Sequence, residues 1–287
     1  MNILITGANG QLGNEMRVLS AAHPKHTYFF TDVVPTDETH ALDICDKSAV
    51  SAFVADHAID LIVNCAAYTN VDKAEEDEAT AMKINAEALT VLGSQGIKVI
   101  HVSTDYVFSG DEHLPCRETD PVAPRTAYGR TKYTGEKNLL AVCPEAVILR
   151  TAWLYSEFGN NFVKTMIRLG QEKKQLGVVF DQIGTPTYAA DLAAAIFTVI
   201  EHHVWQPGIF HFTNEGVCSW YDFTIAIHEL TGITQCRVFP ISSEEYPYKT
   251  PRPHYSVLDK SKFKKTFNAN IPHWMDGLRR CVKRLKV

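Results

Sequence analysis

Tyr128-Gly129-Arg130-Thr131-Lys132 sets a phenol and an ammonium four residues apart, ahead of a run of good helix formers, TGEKNLLAV. On a helix that spacing puts both groups on one face. An ammonium beside a phenol favours the phenolate and lowers the tyrosine pKa from its free value of about 10. Tyr128 can then pass a proton to or from a substrate oxygen near neutral pH. Upstream, Ser103-Thr104-Asp105-Tyr106 ends a strand-like run. Hydroxyls at the carboxyl end of a parallel strand point into the crevice where ligands bind. Thr104 is the third candidate catalytic residue, its hydroxyl suited to a substrate carbonyl beside Tyr128, and Asp105 is read with it as facing the substrate. Taken singly, each feature reads equally well as a surface helix pair or a turn cap. Together they describe proton transfer at a carbonyl oxygen.

A carbonyl that receives a proton also needs a hydride, and the N-terminus offers a place for its donor. Thr6-Gly7-Ala8-Asn9-Gly10-Gln11-Leu12-Gly13 is a GxxGxxG turn between a first strand and a first helix. Glycines there let the backbone approach a pyrophosphate, and the helix N-terminus offers unpaired N–H groups and a positive dipole end. Asp32 ends the second strand roughly 20 residues further on, where an acid accepts from the adenosine ribose. Asp32 would repel a 2′-phosphate, which leans toward NADH over NADPH. In the next loop Asp43 and Ile44 can flank the adenine, although a helix cap near Asp46 explains that segment equally well. Ala66, Ala67 and Tyr68 follow the third strand, and small residues there let a cofactor lie against the backbone. Ser103 and the Tyr128/Lys132 pair complete the expected cofactor contacts, with Lys132 on the nicotinamide ribose.

These groups must be positioned by the elements around them. Asn2–Thr6, Tyr28–Thr31, Asp60–Asn64, Lys98–Ser103 and Ala146–Arg150 are short apolar runs of strand formers. Asn14–Ala22, Ser48–His57 and Lys83–Leu92 carry helical spacing between them. Such alternation marks a parallel sheet buried on both faces, and right-handed crossovers make it a doubly wound, Rossmann-type α/β fold. After about residue 151 the rhythm breaks. Phe162–Leu169 and Asp191–His202 read as helices among Gly/Pro turns and β-like pieces such as Gly208–Thr213. We therefore expect a dinucleotide-binding domain over 1–150, with some later segments packing on it, and a smaller substrate-binding lobe over 151–287. The stretch Trp274–Lys286 reads as a terminal amphipathic helix with a solvated basic face.

The 287 residues include 28 Lys+Arg against 33 Asp+Glu, a net charge of −5. That balance argues against a nucleic-acid or anionic-membrane partner. The 45% hydrophobic and 21% charged composition excludes a disordered or fibrous chain. Seven cysteines, an odd number with no CxxC pair, suit neither a disulfide framework nor a zinc site and point to a reducing cytoplasmic setting. No signal peptide or membrane span is read, and no carboxylate cluster suggests a metal in the site.

At this point the motifs resemble the extended short-chain dehydrogenase/reductase family, and within it the branch that reduces 4-keto nucleotide sugars. The similarity runs through TGANGQLG at 6–13, NCAAYTNVDKAE at 64–75, STDYVFSG at 103–110 and YGRTK at 128–132. It continues through RTAWLY at 150–155, GNNFVKTM at 159–166, DQIGTPTYAADLA at 181–193 and SWYDFT at 219–224. The resemblance implies hydride transfer from NADPH or NADH, either being accepted in this branch, to the C4 ketone of dTDP-4-dehydro-L-rhamnose, giving dTDP-L-rhamnose. It implies Thr104, Tyr128 and Lys132 as the catalytic set, with Tyr128 as proton donor. It places Trp153 near the sugar, where an indole face packs on a deoxyhexose. Asn160, Asn161 and Arg252 are then expected on the nucleotide diphosphate, a guanidinium fork being suited to phosphate. The dehydratases of the same superfamily carry Thr-Asp-Glu at the strand end. Here it is Thr104-Asp105-Tyr106, which favours ketone reduction over elimination of water. A related nucleotide-sugar 4-reductase or epimerase and a non-catalytic NADP-binding regulatory subunit are the alternatives, and a homodimer stays open.

Overall fold

The computed structural model describes residues 1–247 and 249–285. Its centre is a parallel sheet of seven strands. The six that come first in the chain are β1 (Asn2–Thr6), β2 (Thr27–Asp32), β3 (His40–Ala41), β4 (Leu61–Asn64), β5 (Lys98–Thr104) and β6 (Val147–Thr151). The seventh, Gly208–His211, pairs with β6, so the order across the sheet is Gly208–His211, β6, β5, β4, β1, β2, β3. Every residue of β4 and β6 is buried, which requires cover on both faces and explains their unbroken apolar runs. The alternation of β1 divides that cover. Ile3 and Ile5 enter one layer with Met16, Val63 and Ile196, whereas Leu4 enters the opposite layer with Val50, Leu89 and Leu139. The strand order reverses between β1 and β4, and the crevice at that switch point opens beyond the strands' carboxyl ends.

The helices follow the expected alternation with shifted ends. The first, α1, spans Gln11–Ser20. It begins three residues before the expected Asn14 because the glycine turn runs straight into its first turn. After α2 (Lys47–Asp56), α3 (Val71–Glu76) and α4 (Glu78–Met82), the expected helix over 83–92 divides into a π-helical turn, Lys83–Glu87, and α5 (Ala88–Gly93). The wide turn lets Asn85 reach the loop after β4. Its amide donates to the Tyr68 carbonyl (3.0 Å) and accepts from the Tyr68 N–H (2.8 Å). The catalytic segment lies on α6 (Ala127–Val142), started by Thr126, whose hydroxyl accepts from the Gly129 N–H at 3.0 Å. Gly135 lets α6 lie directly on the π turn, since a Cβ there would run into the Asn85 carbonyl.

Past β6 a second apolar cluster forms around Tyr155, Val163, Tyr188, Phe223, Ile227 and Trp274, with short strand pairs such as Gln175–Val179 against Arg237–Ile241. The segment Gly208–His211, expected only as a β-like piece, returns to extend the main sheet. The terminal helix, Trp274–Leu285, is less solvated than expected; Lys286 lies outside the described residues. Arg280 pairs with Asp191 at 2.6 Å, and Arg284 reaches Glu157 at 2.8 Å and Glu15 on α1 at 3.3 Å. Arg280 and Arg284 of the expected basic face thus tie the terminal helix back onto the chain, Arg284 as far as α1.

One ion pair is sealed under the carboxyl edge of the sheet. Arg150 on β6 grips Glu136 on α6 with two bonds of 2.9 and 2.7 Å, both side chains 1% exposed, and Ser103 donates to the same carboxylate at 2.5 Å. Breaking such a pair strands a buried charge. Arg150→Met is expected to destabilise the protein by about 3–5 kcal/mol in chemical denaturation. The double variant Arg150→Met/Glu136→Leu should recover part of that loss; a single variant as stable as wild type would contradict the assignment.

Candidate active site

The crevice at the switch point has a volume of about 890 Å³. One side is the glycine turn. Gly7 has φ +65°, and a Cβ on it would stand 2.6 Å from Ala66 on the neighbouring loop. A Cβ on Gly13 would strike Ala8 and the Gly7 carbonyl, so Gly13 packs the turn onto α1. Gly10 occupies the N-cap position of α1 and supplies no side-chain cap. The first-turn amides are therefore open to an anionic ligand. Gly7, Gly10, Gln11 and Leu12 line the crevice, as do Ala66 and Ala67 from the loop after β4.

Asp32 stands at the rim, accepting from the Asn9 N–H at 3.0 Å and the Val34 N–H at 3.3 Å. Asn9 serves this rim, its side chain donating to the Val34 carbonyl at 2.7 Å. Asp43 and Ile44 line the same end. Asp43 accepts from Cys45 N–H, while the helix cap falls on Asp46, which holds the start of α2 through Ala49 N–H at 3.0 Å. Asn9, Gly13 and Tyr68 are not wall residues; Tyr68 packs with Tyr128 and Ala127 behind it. Sequence reasoning missed Leu42, Cys45, Cys65, Lys83 and Ile84 on the wall. Lys83 and Ile84 come from the π turn, which no periodicity signals.

On the opposite side the structure brings Thr104, Tyr128 and Lys132 into one crevice wall, with Ser103 and Asp105. The Thr104 hydroxyl donates to Asp105 at 2.9 Å and accepts from the Tyr106 N–H at 3.2 Å. Burial raises the Asp105 carboxyl to about 7. Burial likewise raises the Tyr128 phenol to about 12, a hydrogen bond with Thr104 opposing it only in part. The sequence expectation that Lys132 would lower this pKa is corrected here. Lys132 donates to the Val102 carbonyl at 2.7 Å and meets His101 Nε2 at 3.1 Å, and burial dominates the Tyr128 shift. Burial in turn lowers Lys132 to about 8, against the opposing pull of Glu136. With neither partner charged favourably by the other, Tyr128 is a phenol with its proton on, able to donate to an oxygen that gains charge.

A second cavity of about 370 Å³ adjoins the crevice through Asp105, Tyr106 and Trp153. Its walls are largely apolar, with Phe162, Met166, Leu176 and Val178. Trp153 has φ +50° and stacks on Trp220 with ring centroids 3.4 Å apart. A non-glycine residue holds that backbone only where its surroundings over-determine it, and here the second indole and Gly184 do so, since a Cβ on Gly184 would meet the Trp153 ring. Arg252 lines this cavity and pairs with Asp72 on α3 at 2.8 Å. Asn160 faces the crevice. Asn161 lines it too, but its side chain caps helix Phe162–Glu172 and donates to Gln11 at 2.9 Å, linking the second cluster to the glycine turn.

Among the described residues no group of His, Cys, Asp or Glu is gathered as a metal site, and no helix is long and apolar enough to cross a membrane. The chain is similar to known proteins over its whole length. It is 42% identical over 285 residues, 97% of this chain and 94% of the other, to a probable dTDP-4,6-dihydroxy-2-methyloxan-3-one 4-ketoreductase from Streptomyces antibioticus. The crystal structure of a dTDP-4-dehydrorhamnose reductase from Clostridium acetobutylicum superposes with a TM-score of 0.92 at 42% identity, covering 100% of both chains. That of a dTDP-4-dehydrorhamnose reductase from Bacillus anthracis in complex with NADP gives 0.91 at 37% identity and 99% of both. The RmlD substrate binding domain matches residues 1–287, and the chain belongs to that family.

Proposed function

We propose that this protein reduces the C4 ketone of dTDP-4-dehydro-L-rhamnose to dTDP-L-rhamnose with NADPH or NADH. The observation that carries this reading is the convergence of Thr104, Tyr128 and Lys132 in a crevice whose far side is an uncapped helix N-terminus behind a glycine turn. A reduced nicotinamide, when bound, supplies a hydride to the ketone carbon. The chain's own residues do the rest. The amides at the start of α1 hold the dinucleotide's pyrophosphate, and Asp32 accepts from its ribose. Thr104 donates to the ketone oxygen and orients it. Tyr128, protonated at neutral pH, gives that oxygen its proton as charge develops. Lys132 holds ribose hydroxyls and stands ready to share charge with the phenolate left behind.

The sugar packs against Trp153, and the nucleotide lies along the apolar cavity. For Arg252 to meet the diphosphate it must exchange or share its bond with Asp72. The dTDP nucleotide is common to the three relatives' names, while the sugar differs among them, so a related dTDP-4-keto sugar is the second reading. The intact proton donor argues against a binding-only subunit. We take the setting to be cytoplasmic and leave self-association open.

Purified protein mixed with dTDP-4-dehydro-L-rhamnose should consume NADPH or NADH absorbance and release dTDP-L-rhamnose, identified by NMR of the product. No consumption, with turnover on another 4-keto sugar, would favour the second reading. Tyr128→Phe should lose about 10²–10⁴-fold in kcat while its dinucleotide affinity, read by fluorescence, stays near wild type; full turnover by this variant would overturn the mechanism. Gly7→Ala should weaken dinucleotide binding, since the new methyl cannot avoid Ala66.

Asp105 gives a pH prediction. Its pKa rises from 3.8 to about 7 on folding, so the native state holds more protons than the unfolded chain between those values. Stability from this group is present at low pH and is lost as pH rises through 7. Asp105→Asn should therefore gain on wild type steadily between pH 4 and 7 in urea denaturation. A stability difference that does not change with pH would contradict the buried, proton-holding carboxyl.

A further inference from the structure

Thr6, Asn64 and His101 form one register row across adjacent strands, Thr6 opposite Asn64 and Asn64 opposite His101. Their side chains are joined, and all three are 1% exposed. The Thr6 hydroxyl donates to Asn64 Oδ1 at 2.6 Å, Asn64 Nδ2 lies 2.9 Å from His101 Nδ1, and His101 Nε2 lies 3.1 Å from Lys132 Nζ. The row therefore ends on the candidate catalytic lysine, which docks from α6 onto that face of the sheet.

The direction of this chain can be worked out from a single backbone group. The Ala66 N–H, which can only donate, points at Asn64 Oδ1 at 3.2 Å. That fixes the amide: Oδ1 accepts twice, and Nδ2 must be the atom facing His101. An NH₂ group facing Nδ1 requires that nitrogen to be bare. A neutral imidazole then carries its proton on Nε2, directed at Lys132. An ammonium has three donors and no acceptor, so a charged Lys132 would meet His101 donor to donor. The contact is satisfied when Lys132 is an amine that gives one proton to Val102 O and accepts from His101. A protonated imidazole is excluded in the same way, since it would turn donors toward both neighbours.

We propose that His101 is a positioning residue for Lys132, held as its Nε2–H tautomer by Thr6 and Asn64, so that this contact favours the amine form of Lys132 and opposes its protonation. The other groups around Lys132 leave this arrangement intact. Glu136, one turn along α6, is clamped by Arg150 and Ser103. Glu75 and Glu78, from the helices packed on α6, are engaged with Ala127 N–H and Arg130. Asp105 and Tyr106 come from the turn after β5, with Asp105 bonded to Thr104. Tyr128 shares the crevice as a neutral phenol. The direction of the Lys132 shift agrees with this assignment. The importance of Lys132 for turnover rests on the function proposed above, but the tautomer of His101 does not.

The first test therefore needs no substrate. In protein labelled with ¹⁵N-histidine, with His101→Gln used to assign the resonance, His101 should be neutral, protonated on Nε2 and unchanged through neutral pH. An Nδ1–H tautomer or an imidazolium would overturn the proposal, whatever the enzyme's substrate. The second test inverts the chain. Asn64→Asp keeps the acceptor for Thr6 and Ala66 but now accepts from Nδ1–H, leaving Nε2 to accept from a lysine ammonium. The His101 tautomer should switch. The alkaline limb of kcat/KM, which reports the free enzyme, should move up by about one pH unit. Should Asn64→Asp fail to fold, His101→Gln decides, because its amide oxygen can also accept from the ammonium and should move the limb the same way. Loss of rate with an unshifted profile would mean a purely structural role and would overturn the proposal.

Discussion

A lysine sealed between a helix and a parallel sheet must find every hydrogen-bond partner inside the protein, and much of this fold's carboxyl edge is arranged around that requirement. Lys132 is among the largest fully buried side chains of the molecule. Burial penalises its charge, as it penalises the charge of the Tyr128 phenolate one turn away. The two penalties push the pair toward neutrality on both sides, with the proton on the phenol. The backbone carbonyl of Val102 and the ring of His101 complete the coordination of Nζ. Behind them the Arg150–Glu136 pair ties α6 to β6, and Ser103 ties the same carboxylate to β5.

This charge arrangement suits one direction of chemistry. Reduction of a ketone consumes a proton at oxygen, so a donor that already carries its proton is matched to the task, whereas oxidation of an alcohol would need the phenolate at the start. The same burial explains why YxxxK geometry alone is an incomplete guide. Spacing on a helix brings two side chains to one face, but what each faces there is decided by strands that lie far away in the sequence. The glycine turn lines one cavity and the Trp153–Trp220 stack the other, and the two adjoin through Asp105, Tyr106 and Trp153.

The parallel sheet was legible because strands buried on both faces must be apolar throughout, as LIVN and VILRT are. The placement of the glycine turn, Asp32 and Tyr128/Lys132 around one crevice was legible because the spacings that signal it are local. The row Thr6–Asn64–His101 was not, since each residue alone reads as an ordinary strand residue and only the register of three strands aligns them. The π turn was equally hidden: Lys83–Leu92 has unbroken helical composition, and the demand of Asn85 for the Tyr68 backbone is a tertiary contact. Arg284 and Arg280 read as a solvated face because acidic partners lie far off in the sequence, 89 residues away for Arg280 and 269 for the Glu15 partner of Arg284. In each case the missing information was a long-range pairing rather than a residue preference.

The most direct test is an alkaline spectroscopic titration of the free protein, wild type minus Tyr128→Phe, which isolates ionisation of one phenol. Burial without help from a charged lysine predicts that the difference signal shows no phenolate until well above pH 10, approaching about 12. A phenolate that forms below pH 10 would mean that Lys132 carries its charge next to Tyr128, contradicting the neutral pair on which this account is built.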